Sequence, residues 1–411
     1  MAVYPLEGVR VLDFTIWQQG PYATVMLADM GADVIKVEEP RGGDPGRGLQ
    51  PITDAGLGGY FQAHNRGKRS VALNLKHPAG RETALALARD ADALVHNYRA
   101  GVMERLGLGY RDVAAVNPDI VYVHASGYGP AGDEASEGSF DILAQARGGL
   151  MSVTGEPDGP PLPAGVPVAD QVGAMMAGFA VVSGLLYRQR TGRGIEMDVS
   201  LLGSQLALQA FNITNYLFTG RVPQRRRRAG STPFWNVYRG SDGQYFVIGM
   251  LFDRRWPELC AAIGRPELES DPRFDTYRKR VAEGAPELIA ILDDVFATKP
   301  AGHWVRALSD AGVFVAPVQD YADVAADPQV LANGYIQEVM DPHRGAVRMV
   351  ALPVTVNGEP LPVRGLAPEL GAHTEEALLE AGYTWQEIAE LRAAGAIGPA
   401  RDGPDRPAAD S

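Results

Sequence analysis

A single cysteine, Cys260, in 411 residues excludes an intrachain disulfide and fits a reducing compartment. Within "WPELCAAI" it reads as core packing on a helix. Positive charge is also scarce. Lys and Arg number 38 against 50 Asp and Glu, a formal net charge of -12, whereas a nucleic-acid partner would need a basic face to neutralise phosphates. The one dense basic stretch, Arg225 to Arg228, reads as part of a solvated linker. The seven histidines are scattered singly, with no H-E-x-x-H and no cysteine partner, so no protein-bound metal is expected. No serine sits in G-x-S-x-G, which argues against an α/β-hydrolase elbow. The longest apolar run, Val172 to Tyr187, falls short of the roughly 20 residues of a bilayer span, so a buried helix and no membrane contact are expected. The opening "MAVYPLEGVRVLDF" lacks a basic segment followed by an apolar one, which points to the cytoplasm. No internal repeat is visible.

What the chain does have is 45% hydrophobic residues, and its length exceeds what one core supports, so two domains are expected. "VRVLDFT" reads as a strand. "PYATVMLADMG" reads as a helix with Pro21 in its first turn and Gly31 as its stop, and "ADVIKVEE" as a second strand. The alternation continues through "SVALNL", "PAGRETALALARDA", "DALVHNY", "DVAAVN" and "IVYVHASGYG", which predicts a parallel sheet with helices on both faces. The first strand-to-helix turn, "TIWQQGPYAT", carries no G-x-G-x-x-G, so the phosphate-cradling turn of NAD enzymes is missing. From about Phe218 the pattern breaks into "FTGRVPQRRRRAG", a linker signal. A smaller α+β unit follows, from about Ser231 to Val324. Beyond it come the strand-like "YIQEVM" and "AVRMVALPVTV", a helical tail, and a Gly, Pro and Asp-rich end expected to be disordered.

One carboxylate stands out. In "VPVADQVGAMMAGFAVVSGLLYRQRTGRG", Asp170 sits directly ahead of a long apolar helix, closed by a basic turn with glycine. Read from the residues alone, Asp170 is an N-cap accepting from the amides of Val172 or Gly173. A carboxylate so held stays ionised and fixed in direction, and can attack an activated carbonyl.

The order of "GVRVLDFT", "QGPYATVMLADMGADVIKVEEPRGGD", "NRGKRSVALNLKHPAG", "FDILAQARGGLMSVTG", the Asp170 helix with "TGRG", "GVFVAPVQDYADVAADPQV" and "LGAHTEEALLEAGY" resembles the family III (CaiB/BaiF-type) CoA-transferases, over nearly the whole chain. The related α-methylacyl-CoA racemases share parts of the pattern. The resemblance implies a Rossmann-like large α/β domain from residues 1–200 and 330–411, a linker over 201–230, a small α+β domain over 231–324, and an interlocked homodimer. It implies an enzyme that moves CoA from an acyl-CoA thioester to a carboxylic acid, with no permanently bound cofactor. Asp170 would be the nucleophile, forming first a mixed anhydride and then an aspartyl-CoA thioester. Gln18 would lie beside the reacting thioester. Coenzyme A would meet Arg41, then Leu73, Asn74, Leu75 and Lys76, then Asn97, Tyr98 and Arg105, then Tyr128.

Three positions depart from the pattern. Glu39-Pro40 stands where an adenine-stacking arginine is common, with Arg41 two places on. The glycine run that closes over the site in formyl-CoA transferase is reduced to Gly230 in "RRAGSTPF". Phe140 replaces the histidine of the racemases. The alternatives to CoA transfer are racemisation or isomerisation of an acyl-CoA, which needs two opposed proton-transfer groups, and binding of a CoA ester without turnover.

Overall fold

The computed structural model describes residues 4–53, 56–225, 227–250 and 254–398. Arg226 of the basic run and residues 399–411 of the end expected to be disordered lie outside the described residues.

Six strands form one parallel sheet: β1 (Arg10–Phe14), β2 (Asp33–Glu38), β3 (Arg69–Ala72), β4 (Ala93–His96), β5 (Val121–Ser126) and β6 (Ile195–Ser200). Their spatial order is β3-β2-β1-β4-β5-β6. The chain starts at the centre, builds outward to β3, then returns to the other side of β1, so the direction of winding reverses between β1 and β4. Ligands of open α/β sheets bind at the carboxyl ends of the strands beside such a reversal.

Side chains alternate across the sheet with period two. Leu12, Phe14, Ile35, Val71 and Leu94 face a core closed by helix Pro78–Arg89 and, near the end of the chain, by Leu378, Ile388 and Ile397. Val11, Val34, Val95, Val121 and Val123 face the opposite layer. There the sheet is covered by helix α1 (Gln19–Asp29) and the long helix α3 (Val168–Thr191), with α2 (Asp141–Arg147) near the start of α3.

Small residues let α3 settle deeply. Gly173, Ala174, Ala177, Gly178, Val181 and Gly184 are buried, three or four positions apart, on one face. A methyl group on Gly178 would lie 3.1 Å from the Met26 side chain of α1, and one on Gly184 only 2.4 Å from Val121 of β5. The expectation of a buried helix holds for this face alone. Met175, Met176, Phe179, Val182, Leu186 and Tyr187 are exposed, Phe179 to 66%. The helix has the length and hydropathy of a membrane span by composition, with 44% of its most apolar window buried in the protein.

The chain divides into two compact units. One holds Met1–Met151, Pro163–Arg221 and Pro328–Ser411; the other holds Ser152–Leu162 and Val222–Asp327. The stretch 201–230, expected as a linker, is helical over Leu201–Leu208 and Ala210–Thr219. Ser200 caps the first of these helices through its hydroxyl and Gly220 ends the second in the left-handed conformation. The smaller unit is α+β: an antiparallel sheet of β7 (Trp235–Arg239), β8 (Tyr245–Gly249) and β9 (Val315–Pro317), packed with helices around Phe246, Trp256, Phe296 and Trp304. Cys260 lies in this core, its thiol pushed up to about 12 by burial. Within this unit the described arginines of the basic run are already used. Arg225 donates to the carbonyls of Glu156, Gly159 and Pro160, Arg227 pairs with Asp158, and Arg228 binds Asp293 through both terminal guanidinium nitrogens.

Candidate active site

The reversal between β1 and β4 opens into a cavity of about 390 Å³. Ile16, Trp17 and Gln18 follow β1, Asn97, Tyr98 and Arg99 follow β4, and Ser126 and Gly127 end β5; all of them line it, with Ser139, Phe140 and Asp170 on a further wall. Thus Gln18, Asn97, Tyr98 and Asp170 come together as expected candidates in one space. Arg41, Leu73, Asn74, Leu75, Lys76, Arg105 and Tyr128 lie outside it. Leu73 is a core residue whose amide donates to the Glu38 carbonyl, Leu75 packs against the same core, and Asn74 is tied to the carbonyl of Gly395. Arg41, Lys76 and Arg105 are exposed, and Tyr128 carries the Arg147 guanidinium over its ring at 4.8 Å.

Asp170 does not cap its helix. The cap position is Pro167, without a side-chain hydrogen bond, and Asp170 is the third residue of the first turn. The free amides are taken by another acid. Asp141 Oδ1, at the start of α2, accepts from Ala169 N at 2.7 Å and from Asp170 N at 3.2 Å. A carboxylate there satisfies helix-end donors that would otherwise be orphaned, and it leaves the Asp170 side chain free to face the cavity. The expectation that Asp170 stays ionised is corrected by the same arrangement. Burial, and then the negative charge of Asp141, push its carboxyl up to about 7. The helix dipole favours the ionised form, but a first-turn effect of that size is smaller than burial plus a like charge.

Tyr60, which no sequence pattern marked, is not one of the lining residues but feels the charge of Asp170. It lies on helix Gly59–Asn65, its ring 4.5 Å from that of His64, and its phenol is pushed upward by burial and then by the charges of Asp170 and Asp44. It is a neutral hydroxyl within the field of Asp170. Gln18 Nε2 donates to Gln171 Oε1 at 3.3 Å, which holds its amide beside the residue following Asp170. His124 braces the floor, with Nδ1 2.9 Å from Asp198 and Nε2 2.9 Å from the Tyr98 carbonyl. Arg99 brings a guanidinium to the wall, in space that Gly138 leaves open. Phe140, 62% exposed, presents a hydrocarbon ring where a racemase would carry a histidine. Among the described residues, no cluster of three or more His, Cys, Asp or Glu could hold a metal.

A carboxylate of near-neutral pKa and a carboxamide lining one cavity suit acyl chemistry, in which a carboxylate attacks and donors stabilise the oxyanion. Comparison with known proteins agrees with that chemistry. The family model described as CoA-transferase family III matches residues 6–374. The chain is 35% identical over 395 residues to a mouse succinyl-CoA:glutarate CoA-transferase, covering 96% of this chain and 90% of that one. It is 38% identical over 358 residues to an acetyl-CoA:oxalate CoA-transferase of Acetobacter aceti, covering 86% and 90%. The crystal structure of a CAIB/BAIF family protein from Brucella suis superposes with a TM-score of 0.83 at 33% identity, covering 92% of this chain and all of that one. With its aspartate at the strand reversal and its likeness running end to end, the chain belongs to CoA-transferase family III and is a CoA-transferase.

Proposed function

We propose that Asp170 carries the acyl exchange covalently. The ionised carboxylate attacks the thioester carbonyl of the donor acyl-CoA, the C–S bond breaks, and CoA leaves as a thiolate with a mixed anhydride on Asp170. The thiolate then attacks the Asp170 carbonyl carbon, releasing the donor acid as a carboxylate and leaving an aspartyl-CoA thioester. An acceptor carboxylate attacks that thioester, a second anhydride forms, and the returning thiolate takes the new acyl group and restores Asp170. The observation that carries this reading is the raised pKa of Asp170 inside the cavity. A carboxylate of higher basicity is a better nucleophile, and a value near 7 leaves much of it ionised at neutral pH. Gln18 is the donor we assign to the developing oxyanions.

The nucleotide of CoA is assigned to Arg41, the Leu73–Lys76 segment and Arg105, with Asn97, Tyr98 and Tyr128 along the pantetheine. What supports this is exposed cations, Arg41, Lys76 and Arg105, for its phosphates. The acceptor is a carboxylic acid, and Arg99 offers a charge to an anionic group of the substrate. The relatives described above are named for succinyl, glutarate and oxalate chemistry. Phe140 counts against racemisation, which requires a proton-transfer group on each side of the α-carbon.

A homodimer completes the proposal, with two chains threaded through each other. It would cover the exposed apolar row on α3, together with Phe211, Leu217 and Phe218 of helix Ala210–Thr219. Light scattering at micromolar concentration is expected to give a dimer; a monomer refutes it. For the chemistry, hydroxylamine added during turnover of an acyl-CoA with a carboxylate acceptor is expected to leave a hydroxamate on Asp170, found by peptide mass mapping. Sustained turnover with Asp170 unmodified excludes the covalent route.

A further inference from the structure

The turn from β1 into α1 is held in an unusual way. Between Thr15 and Trp17, five successive backbone groups are bound by side chains. Thr15 N donates to Asp13 Oδ1 at 2.8 Å and Thr15 O accepts from Lys36 Nζ at 2.7 Å. Ile16 N donates to Asn97 Oδ1 at 2.9 Å, and Ile16 O accepts from Asn97 Nδ2 at 2.7 Å. Trp17 N donates to Asp44 Oδ1 at 3.2 Å, while Asp44 Oδ2 lies 2.9 Å from Lys36 Nζ. Asp13, Lys36 and Asp44 are wholly or almost wholly buried. Trp17 itself has φ +67°, one of two non-glycine residues with positive φ among the described residues. A turn needing only that conformation would take glycine without strain. The indole is not core either: it is 37% exposed and lines the cavity immediately before Gln18. A strained residue over-determined by its surroundings and placed at a reacting centre is the signature of preorganisation.

We propose that Asn97 and Asp44 are positioning residues, which hold Trp17 in the left-handed conformation and thereby aim Gln18 at the acyl group on Asp170. The inference rests on the covalent reading above. It changes the role expected of Asn97. One side-chain oxygen and one side-chain nitrogen are both committed to Ile16, so its effect on a bound CoA runs through the turn.

A double-mutant cycle tests this, because glycine at position 17 adopts the left-handed conformation unaided. The four full-length proteins are wild type, Asn97→Ala, Trp17→Gly and the double variant. Each is checked for an unchanged circular dichroism spectrum and assayed for kcat, KM and CoA affinity by calorimetry. Asn97→Ala alone is expected to lower kcat about 30-fold with less than about a threefold change in KM for acyl-CoA, the split of an interaction that matters at the transition state. Against the Trp17→Gly background the same change is expected to cost less than about threefold. If Asn97→Ala unfolds the protein, Asn97→Ser, able to hold one of the two Ile16 groups, gives the same split at smaller amplitude. Loss of CoA affinity with kcat unchanged, or an equal loss in both backgrounds, overturns the proposal. Wild-type turnover in hydroxylamine that leaves Asp170 unmodified would instead refute the covalent reading.

Discussion

Replacing Asp170 by Asn is expected to make the protein more stable as it makes it inactive, and the gain should depend on pH. The folded carboxyl titrates near 7, against an ordinary 3.8. The folded state therefore binds the proton more tightly than the unfolded chain. Its contribution to stability is complete below pH 4 and is lost as pH rises towards 7. About three pH units at 1.36 kcal/mol each give an upper figure of about 4 kcal/mol lost at pH 8; partial solvent access reduces this to about 2–4 kcal/mol. Asparagine is nearly isosteric and carries no charge to desolvate, and its backbone N–H still meets Asp141. Melting curves of wild type and Asp170→Asn without substrate, from pH 5 to 8.5, should diverge as pH rises. The variant should lead by about 2–5 °C at pH 8 and by clearly less at pH 5. An advantage that does not change with pH, or a variant that melts below wild type at pH 8, would refute the reasoning that burial and Asp141 hold Asp170 near neutrality.

Because only the ionised carboxylate attacks, kcat/KM should fall as pH drops through about 7, with about a tenth of the alkaline rate left at pH 6. Asp141→Asn keeps the oxygen that accepts from Ala169 and Asp170 but removes the charge, so this acid limb should move down by about one pH unit; an unmoved limb would free Asp141 of any electrostatic role. Gly184→Ala places a methyl 2.4 Å from Val121, which is fully buried, and should cost about 1–3 kcal/mol while folded enzyme assayed in the cold keeps its kcat. An unchanged melting temperature would show that α3 does not sit against β5 as described.

The strand and helix alternation of the parallel sheet was legible because apolar residues recur with simple periods, in "VRVLDFT" as in "DALVHNY", whereas the reversal between β1 and β4 was not, because strand order is set by pairing between distant segments. Asp170 was legible as a candidate, but its place inside the first turn and its protonation state were not. What decides its state is burial and then Asp141, 29 residues earlier on a separate helix, and no local spacing shows either. Lys36, inside "DVIKVE", looks like an ordinary exposed strand residue; only the fold brings Asp44 and the Thr15 carbonyl to its ammonium. The helices at Leu201–Leu208 and Ala210–Thr219 had their signals, Ser200 before and Gly220 after, and were hidden by the basic run that follows. Tyr60 had none, since its neighbourhood to Asp170 is made entirely by tertiary packing.

Synthesis from the ribosome gives the C-terminal packing a further meaning. Leu378, Ile388 and Ile397 complete the core over β1, β2 and β3, and Leu73 bridges to Ile397. The strands made first therefore keep one face only partly covered, by helix Pro78–Arg89 and its neighbours, until Leu378, Ile388 and Ile397 have emerged. The smaller unit, drawn mostly from the continuous stretch Val222–Asp327, has its own core available earlier. The nascent enzyme thus finishes its second unit before its first, and the cavity holding Asp170 is backed by a complete core only when the last helix is released.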